Sequence, residues 1–443
     1  MTADDVFEQA RRSFIEGNTH FAAGRLREAQ ACFEASLRLL PGRPSTLMNL
    51  AAAHIRLGES AAALPLLAQV IAAEPDNAEA WCQQGVALSD LDRHAEALPA
   101  LDRALALASD DPVALYHRGI ALNVLRRHAE ALPVFERLTQ LRADNAEAWF
   151  RRGQTLQALG RHGEAQPAYE RALALDDSLA QAWSNLGGIH KDALRLEDAA
   201  ACYERAIARG ADAELHRWYL ASLRGAATPQ AAPQAYVEGL FDDYADQFDS
   251  HLVNVLRYRT PTVLAEAIRR AQPQGFRSAL DLGCGTGLVA PLLAGLVAHL
   301  DGVDLSQRML DKARALGRYD RLDKADVVAH LLATDRRYDL VLSADVVPYL
   351  GELEPLFAAV RRVIEPGGVF AFSAERAPAG ERFVLRASMR YAHGEAYLCE
   401  LAAAHGFTIA ELLAQVLRED AGVPIDGLYL VLRADSGNRS IAS

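Results

Sequence analysis

Leu280-Asp-Leu-Gly-Cys-Gly-Thr-Gly287 decides the fold of the second half of this chain. The stretch closes a short apolar run, Arg277-Ser-Ala-Leu-Asp-Leu282, and the largely apolar segment Leu288–Leu296 follows it. That order predicts a strand, a tight glycine turn and a helix, the opening unit of a doubly wound α/β sheet that binds its ligand at the carboxyl end of the strand. The spacing is Gly283-x-Gly285-x-Gly287 behind Asp281. A dinucleotide-binding loop would need a glycine where Leu288 stands, and a Walker loop would need Gly-Lys-Ser/Thr. A pyrophosphate ligand is therefore disfavoured.

Moving towards the C-terminus, Ala298-His-Leu-Asp-Gly-Val303 reads as a second strand ending on Asp304. An acid there can accept both hydroxyls of an unphosphorylated ribose. Ser306 is placed to N-cap a helix through Ala313. A third acid, Asp326, stands near a third strand, where an adenine amino group would lie. Tyr338–Ser343 forms a fourth strand leading to Ala344-Asp345, and Glu365-Pro-Gly-Gly368 turns into a fifth, Val369–Ser373. Thr408–Leu417 and Leu428–Leu432 close the sheet as a strand pair.

Those ordered motifs (Leu280–Gly287, Val303-Asp-Leu-Ser306, Tyr338-Asp-Leu-Val-Leu342 and Pro366-Gly-Gly368) resemble the class I S-adenosylmethionine-dependent methyltransferases. The resemblance implies a seven-stranded, mostly parallel Rossmann-like sheet with one antiparallel strand, and S-adenosyl-L-methionine as cofactor. It assigns Asp281, Gly283, Gly285 and Gly287 to the methionine part of the cofactor, Asp304 to the ribose and Asp326 to the adenine. Cys284, Leu305, Met309 and Asp345 complete the implied cofactor set. Tyr236–Leu252 reads as a helix with Phe241, Tyr244 and Phe248 on one face. Phe241–Leu252 with Tyr258-Arg259 is similar to the entry segment of tetratricopeptide-fused methyltransferases; in related enzymes such a helix lids the cofactor, which implies Tyr244 and Tyr258 as further contacts.

Methyl transfer from a sulfonium is an in-line displacement on an activated carbon, so orientation is the main requirement. A general base is needed only when the acceptor must lose a proton. Two residues are catalytic candidates: Tyr349, in Asp345-Val-Val-Pro-Tyr-Leu350 after the fourth strand, and His393, in Arg390-Tyr-Ala-His393. Amino-group nucleic-acid methylases carry an Asp/Asn-Pro-Pro-aromatic run after that strand, which Asp345-Val-Val-Pro does not match.

The first half has a strict period. Gly17, Ala51, Gly85, Gly119, Gly153 and Gly187 are each 34 residues apart, as are Ala29, Ala63, Ala97, Ala131, Ala165 and Ala199. Phe33, Leu67, Leu101, Phe135, Tyr169 and Tyr203 form a third register. Small residues allow two helices to approach closely, and stacked hairpins build a continuous core. The pattern resembles the tetratricopeptide repeat: six repeats over 10–213 and a capping helix at 214–224, making 1–224 an α-helical solenoid. The resemblance implies a groove lined at Met48, Ile55, Cys82, Val86, Tyr116, Ile120, Asn123, Phe150, Gln154 and Ser184, suited to an extended segment of a protein or peptide partner. His94, His128 and His162 fall at repeat turns and form no metal site.

Residues 225–235 are small, proline-bearing and aperiodic: a linker to a methyltransferase-like domain over 236–443. The 443-residue chain carries a net charge of -12, which argues against nucleic acid and an anionic membrane as partners. Five scattered cysteines without a CxxC point to a reducing compartment, with neither disulfides nor a zinc site. Without a leader-like N-terminus or a long apolar run, the expected location is the cytoplasm. The leading expectation is a methyltransferase acting on a protein or small molecule. Its rivals are a repeat adaptor with an idle methyltransferase fold and a nucleic-acid methylase.

Overall fold

The computed structural model describes residues 2–224, 229–246, 248, 257–420 and 422–436. The chain divides into two compact units, Met1–Ala211 and Asp212–Ser443. Residues 225–228 of the linker, residues 247 and 249–252 of the expected lid and residues 253–256 after it lie outside the described residues. Among the described residues no helix is long and apolar enough to cross a membrane.

The first unit consists of helices from α1 (Ala3–Ala22) to α12 (Leu196–Ala208), packed as consecutive hairpins. Two sequence registers prove to be one contact. A Cβ on Gly119 would lie 2.5 Å from the Phe135 ring, one on Gly153 2.7 Å from Tyr169 and one on Gly187 2.6 Å from Tyr203. Each glycine of a first helix thus seats the large side chain of the second. The tryptophans act locally: the indole N–H of Trp81, Trp149 and Trp183 donates to the carbonyls of Pro75, Ala143 and Asp177 at 2.9, 3.1 and 3.0 Å. The ring thereby ties each helix to the turn before it. His94, His128 and His162 each begin a second helix.

Of the expected groove residues, Met48, Cys82 and Phe150 are buried in the packing between helices and present little surface. Ile55, Val86, Tyr116, Ile120, Asn123, Gln154 and Ser184 remain partly exposed. Asn123 is committed to its neighbours, donating to Thr155 at 2.7 Å and pairing with the His128 ring at 3.0 Å.

The second unit is built on a sheet in the order β3 (Arg321–Lys324), β2 (Val297–Asp304), β1 (Phe276–Leu282), β4 (Tyr338–Ser343), β5 (Ile364–Arg376). These five are parallel. β9 (Val423–Ala434) then runs antiparallel to both β5 and β8 (Phe407–Asp420), giving the seven strands the sequence implied. Both faces are buried, and successive residues show it. Leu340 and Leu342 join one core with Leu264 and Ile268 of α15 (Thr260–Ala271), while Val341 joins the other with Phe357 of α18 (Glu354–Val363).

Three expectations needed correction. The sheet has nine strands, because a hairpin of β6 (Phe383–Leu385) and β7 (Tyr391–His393) adds to the end of β5 through Glu375 and Arg376. Strands of three residues leave no alternation to read. The helix expected at Leu288–Leu296 is only a single 3-10 turn, Ala290–Leu293. Gly295, at φ +75°, ends it so that the chain can enter β2 at Val297. Finally α13 (Ala213–Arg224), expected to cap the repeats, belongs to the second unit. Its Trp218 is 1% exposed and packs with Leu385, Met389 and Tyr391 of the added hairpin.

Candidate functional site

The carboxyl ends of β1, β2 and β4 open on one cavity of about 150 Å³. Its floor is the glycine loop, held by backbone bonds: Gly283 and Cys284 donate to the Val303 carbonyl at 2.8 and 3.0 Å, and Gly287 to Cys284 at 2.9 Å. Gly283, Gly285 and Gly287 have φ of +66°, +55° and +90°, a region that favours glycine. A Cβ on Gly283 would also stand 1.9 Å from Val346. At Gly285 the nearest atom to a Cβ is Phe248, 3.7 Å away, so the loop is open on the cavity side.

Asp304, at the end of β2, ties this loop to the next helix. One oxygen accepts from Gly285 N and the other from Ser306 N, both at 2.9 Å. Burial raises its carboxyl above the usual range, and those backbone donors oppose the rise. Each oxygen keeps a lone pair for a hydroxyl. Asp281 is 1% exposed and accepts from the Tyr319 hydroxyl at 2.8 Å. Burial pushes it up to about 7, against the Tyr319 bond and with help from Asp304. Asp326 caps α17 (Val327–Ala333), accepting from Val328 N and Ala329 N at 3.0 and 2.9 Å, and lines the cavity. The cysteine between the glycines is held as a neutral thiol by burial, with the charges of Asp281 and Asp304 adding to the effect.

A roof comes from α14 (Gln234–Tyr244) and the strand-like stretch before it. Ser306 Oγ donates to Asp242, Arg308 donates to the Asp242 carbonyl at 2.7 Å, and Lys324 to Glu238 at 2.7 Å. Ala231 bridges to Leu350, and Ala232 N donates to the Tyr349 carbonyl at 3.0 Å. Phe241, Phe248, Val237 and Pro261 supply apolar walls.

Beyond β4, Asp345 and Tyr349 line the same cavity. Arg390 holds both: two 2.7 Å bonds to Asp345, one of 2.9 Å to the Tyr349 hydroxyl, and its guanidinium lies 5.0 Å from the Tyr349 ring centre. It also donates to Glu375 at 2.8 Å, which Arg418 and Arg386 contact too. Burial pushes Glu375 up, but the arginines outweigh it and hold the acid below its ordinary value. Burial raises the Tyr349 phenol, with Arg390 opposing. Among the described lining residues there is no Lys, Arg or His.

The sequence-derived set divides on this geometry. Tyr258, Asp281, Gly283, Cys284, Gly285, Asp304, Leu305, Asp326, Asp345 and Tyr349 all line the cavity. Gly287 shapes the loop from below, against Leu316 and Tyr319. Met309 is fully buried, its N–H taken by Ser306 Oγ, and is not a lining residue. Tyr244 stands behind Phe248, ring centres 5.5 Å apart, so Phe241 and Phe248 hold the places expected for it. His393 does not reach the cavity. It is 0% exposed, donates Nε2–H to the Gly351 carbonyl at 3.0 Å and stacks on Tyr397. Burial pushes it down to about 4, so the imidazole is neutral, and it stands away from the cavity lining. Tyr319 and Arg390 were missed as supports: Tyr319 lies outside every motif, and the partners of Arg390 are distant in sequence.

A doubly wound sheet places its ligand site outside the carboxyl ends of its strands, where Asp281, Asp304 and the open glycine loop stand here. Residues 280–372 match the model of a methyltransferase domain, and residues 20–85, 82–148 and 146–179 match tetratricopeptide-repeat models. The ubiquinone biosynthesis O-methyltransferase of Paraburkholderia phytofirmans is 31% identical over 101 residues, 22% of this chain and 44% of that protein. The malonyl-[acyl-carrier protein] O-methyltransferase of Pseudescherichia vulneris is 31% identical over 137 residues, 31% of this chain and 52% of that one. The chain thus spans about half the length of these curated relatives. Among solved structures, the magnesium protoporphyrin IX methyltransferase of Synechocystis PCC 6803 aligns with a TM-score of 0.36 at 18% identity, covering 46% of this chain and 99% of that one. The chain joins a tetratricopeptide-repeat array to a class I methyltransferase domain.

Proposed function

We propose that the second unit is an S-adenosyl-L-methionine-dependent methyltransferase. The carrying observation is the open cradle at Gly285, flanked by Asp304 and Asp281 in one cavity with Asp345 and Tyr349. These residues fit the donor: Asp304 for the ribose hydroxyls, Asp326 for the adenine amino group, Asp281 for the cationic methionine end. Gly283, Cys284, Gly285, Gly287 and Leu305 shape the bed, and Phe241, Phe248 and Tyr258 cover it. The bound donor supplies a methyl carbon already activated by its sulfonium. What remains for the protein is orientation and exclusion of water, which the α14 roof and its apolar walls provide.

On this reading Tyr349 faces the acceptor and Arg390 fixes its hydroxyl. No imidazole is available as a base among the described lining residues, and burial keeps the Tyr349 phenol protonated, so the acceptor is one that reacts without losing a proton first, or loses it to a cavity carboxylate such as Asp345 or to water. A lining without basic side chains favours an acceptor neutral at its reacting end, whether a small molecule or a protein side chain. O-methyl transfer, which the names of the two relatives carry, is compatible with this. The repeat array recruits a protein segment, which presents or delivers that acceptor, and the reaction takes place in the cytoplasm.

Calorimetric titration with S-adenosylmethionine tests the donor. The wild type binds and Asp304→Ala loses at least tenfold; an absence of wild-type binding would sink the proposal. Incubating lysate with a methyl-labelled donor and catalytic amounts of enzyme sorts the acceptor into protein, small-molecule or RNA fractions. Donor binding without label anywhere would favour the idle-domain adaptor.

A further inference from the structure

Tyr319 stands in the loop between α16 (Gln307–Ala315) and β3. Its ring fits beneath the glycine loop: a Cβ on Gly287 would come within 3.1 Å of it, and one on Gly302 within 2.9 Å. Its hydroxyl reaches Asp281 Oδ2 at 2.8 Å. The carboxylate of Asp281 is otherwise set among groups that oppose its charge. From β2 it faces Asp304, and from the loop the neutral Cys284 thiol. Asp242 of the roof adds a further negative charge near Asp304. No basic side chain lines the cavity among the described residues. Among the described residues the one donor to the Asp281 side chain is the Tyr319 phenol.

We propose that Tyr319 is a positioning residue for the methyl donor, its hydroxyl holding Asp281 charged and aimed into the cavity to receive a cationic ligand. This rests on the reading of the cavity as a methyl-donor site. Three facts support it together: a buried acid lining the cavity, a like-charged neighbour, and a single neutral donor to offset both. Donor binding then requires Asp281 to be ionised, so affinity rises with pH until the acid has lost its proton, near the value of about 7 set by burial. A hydrogen bond to the charged form favours ionisation, and removing it delays the rise.

The test is calorimetric titration of the full chain with S-adenosylmethionine from pH 5.5 to 7.5. This window lies below the titration of the ligand's own α-amino group, at about 7.7–8.0, which is common to every variant. The wild type is expected to gain affinity towards pH 7. Tyr319→Phe keeps the ring under the loop and shifts that midpoint up by about one pH unit, so it falls several-fold behind at pH 6.5 and less at the upper end. Asp281→Asn removes the step. Equal weakening of Tyr319→Phe at every pH would reduce Tyr319 to a filler of space and overturn the inference, as would a wild type without a step. Should the variant melt early, the wild type alone suffices. Titration at pH 6.5 in buffers of different ionisation heat should show release of a proton on binding, and none released overturns the inference. No binding by the wild type at any pH overturns the donor reading itself, a result distinct from all of these.

Discussion

The indole Nε1–H of Trp218 donates to the hydroxyl of Tyr391 at 3.1 Å, across 173 residues of chain. The Tyr236 ring packs against the same indole at a tilt of 56°, ring centres 4.6 Å apart, so one tryptophan joins α13, the start of α14 and the β6–β7 hairpin. The helix that follows the repeats in sequence is therefore part of the second unit's core. Trp218→Ala should cost that unit about 3–5 kcal/mol, whereas Tyr391→Phe should cost about 1 kcal/mol. Denaturant melts of the second unit, made with residues 212–443 and with residues 236–443, check the same point. The shorter piece should be the less stable; equal stability would show α13 to be dispensable.

Asp281 predicts a stability that falls as pH rises. Its folded value of about 7 lies above the unfolded value, which is about 3.9. Between the two the folded state holds a proton that the unfolded chain has lost. Stability from this group is therefore full below about pH 4, is lost at on the order of 1 kcal/mol per pH unit up to about 7, and is flat beyond. Asp281→Asn keeps the neutral shape, so the difference between wild type and variant in denaturant melts should grow across that interval. A constant difference from pH 4.5 to 7.5 refutes it.

Gly119 tests the packing of the repeats. The residue is helical and buried, and an added methyl would enter the Phe135 ring at 2.5 Å. Gly119→Ala should lose about 1–3 kcal/mol in spite of alanine's better helix propensity. The second repeat already has Ala51 and Leu67 in the same two registers. Adding Phe135→Leu should therefore recover much of the loss, and a double-mutant cycle reads the coupling directly. Simple additivity would mean the two side chains do not share the space.

Arg390 is a fork between the buried Glu375 and the partly buried Asp345. Arg390→Ala leaves Asp345 and Glu375 with less compensation and should cost about 3–5 kcal/mol. Tyr349→Phe removes only one acceptor and should cost about 1 kcal/mol, with donor affinity little changed. Comparing the two by chemical denaturation and by donor titration separates support of the shelf from contact with ligand.

Local pattern made much of this legible. The 34-residue period, the acid-ended strands and the glycine spacing each report on the backbone nearby; of the lining residues, Asp281, the loop glycines and Asp304 follow from strand ends, while Tyr258 comes from the resemblance alone. His393 could not be judged in that way. Its burial under Gly351 and beside Tyr397 depends on a hairpin of three-residue strands that no periodicity announces. Tyr244 is the last residue of α14, and its ring meets Phe248 rather than the cavity, which Phe241 and Phe248 line.

By itself, then, the sequence determined the two architectures and where the glycine loop and its acids would gather, because helix crossings and strand-end turns demand particular residues at short range. Only the tertiary structure decided what stabilises the site's charges. Tyr319 meets Asp281 across 38 residues and Arg390 meets Asp345 across 45. A buried carboxylate needs a donor, and the chain can supply it from any element that folding brings within 3 Å.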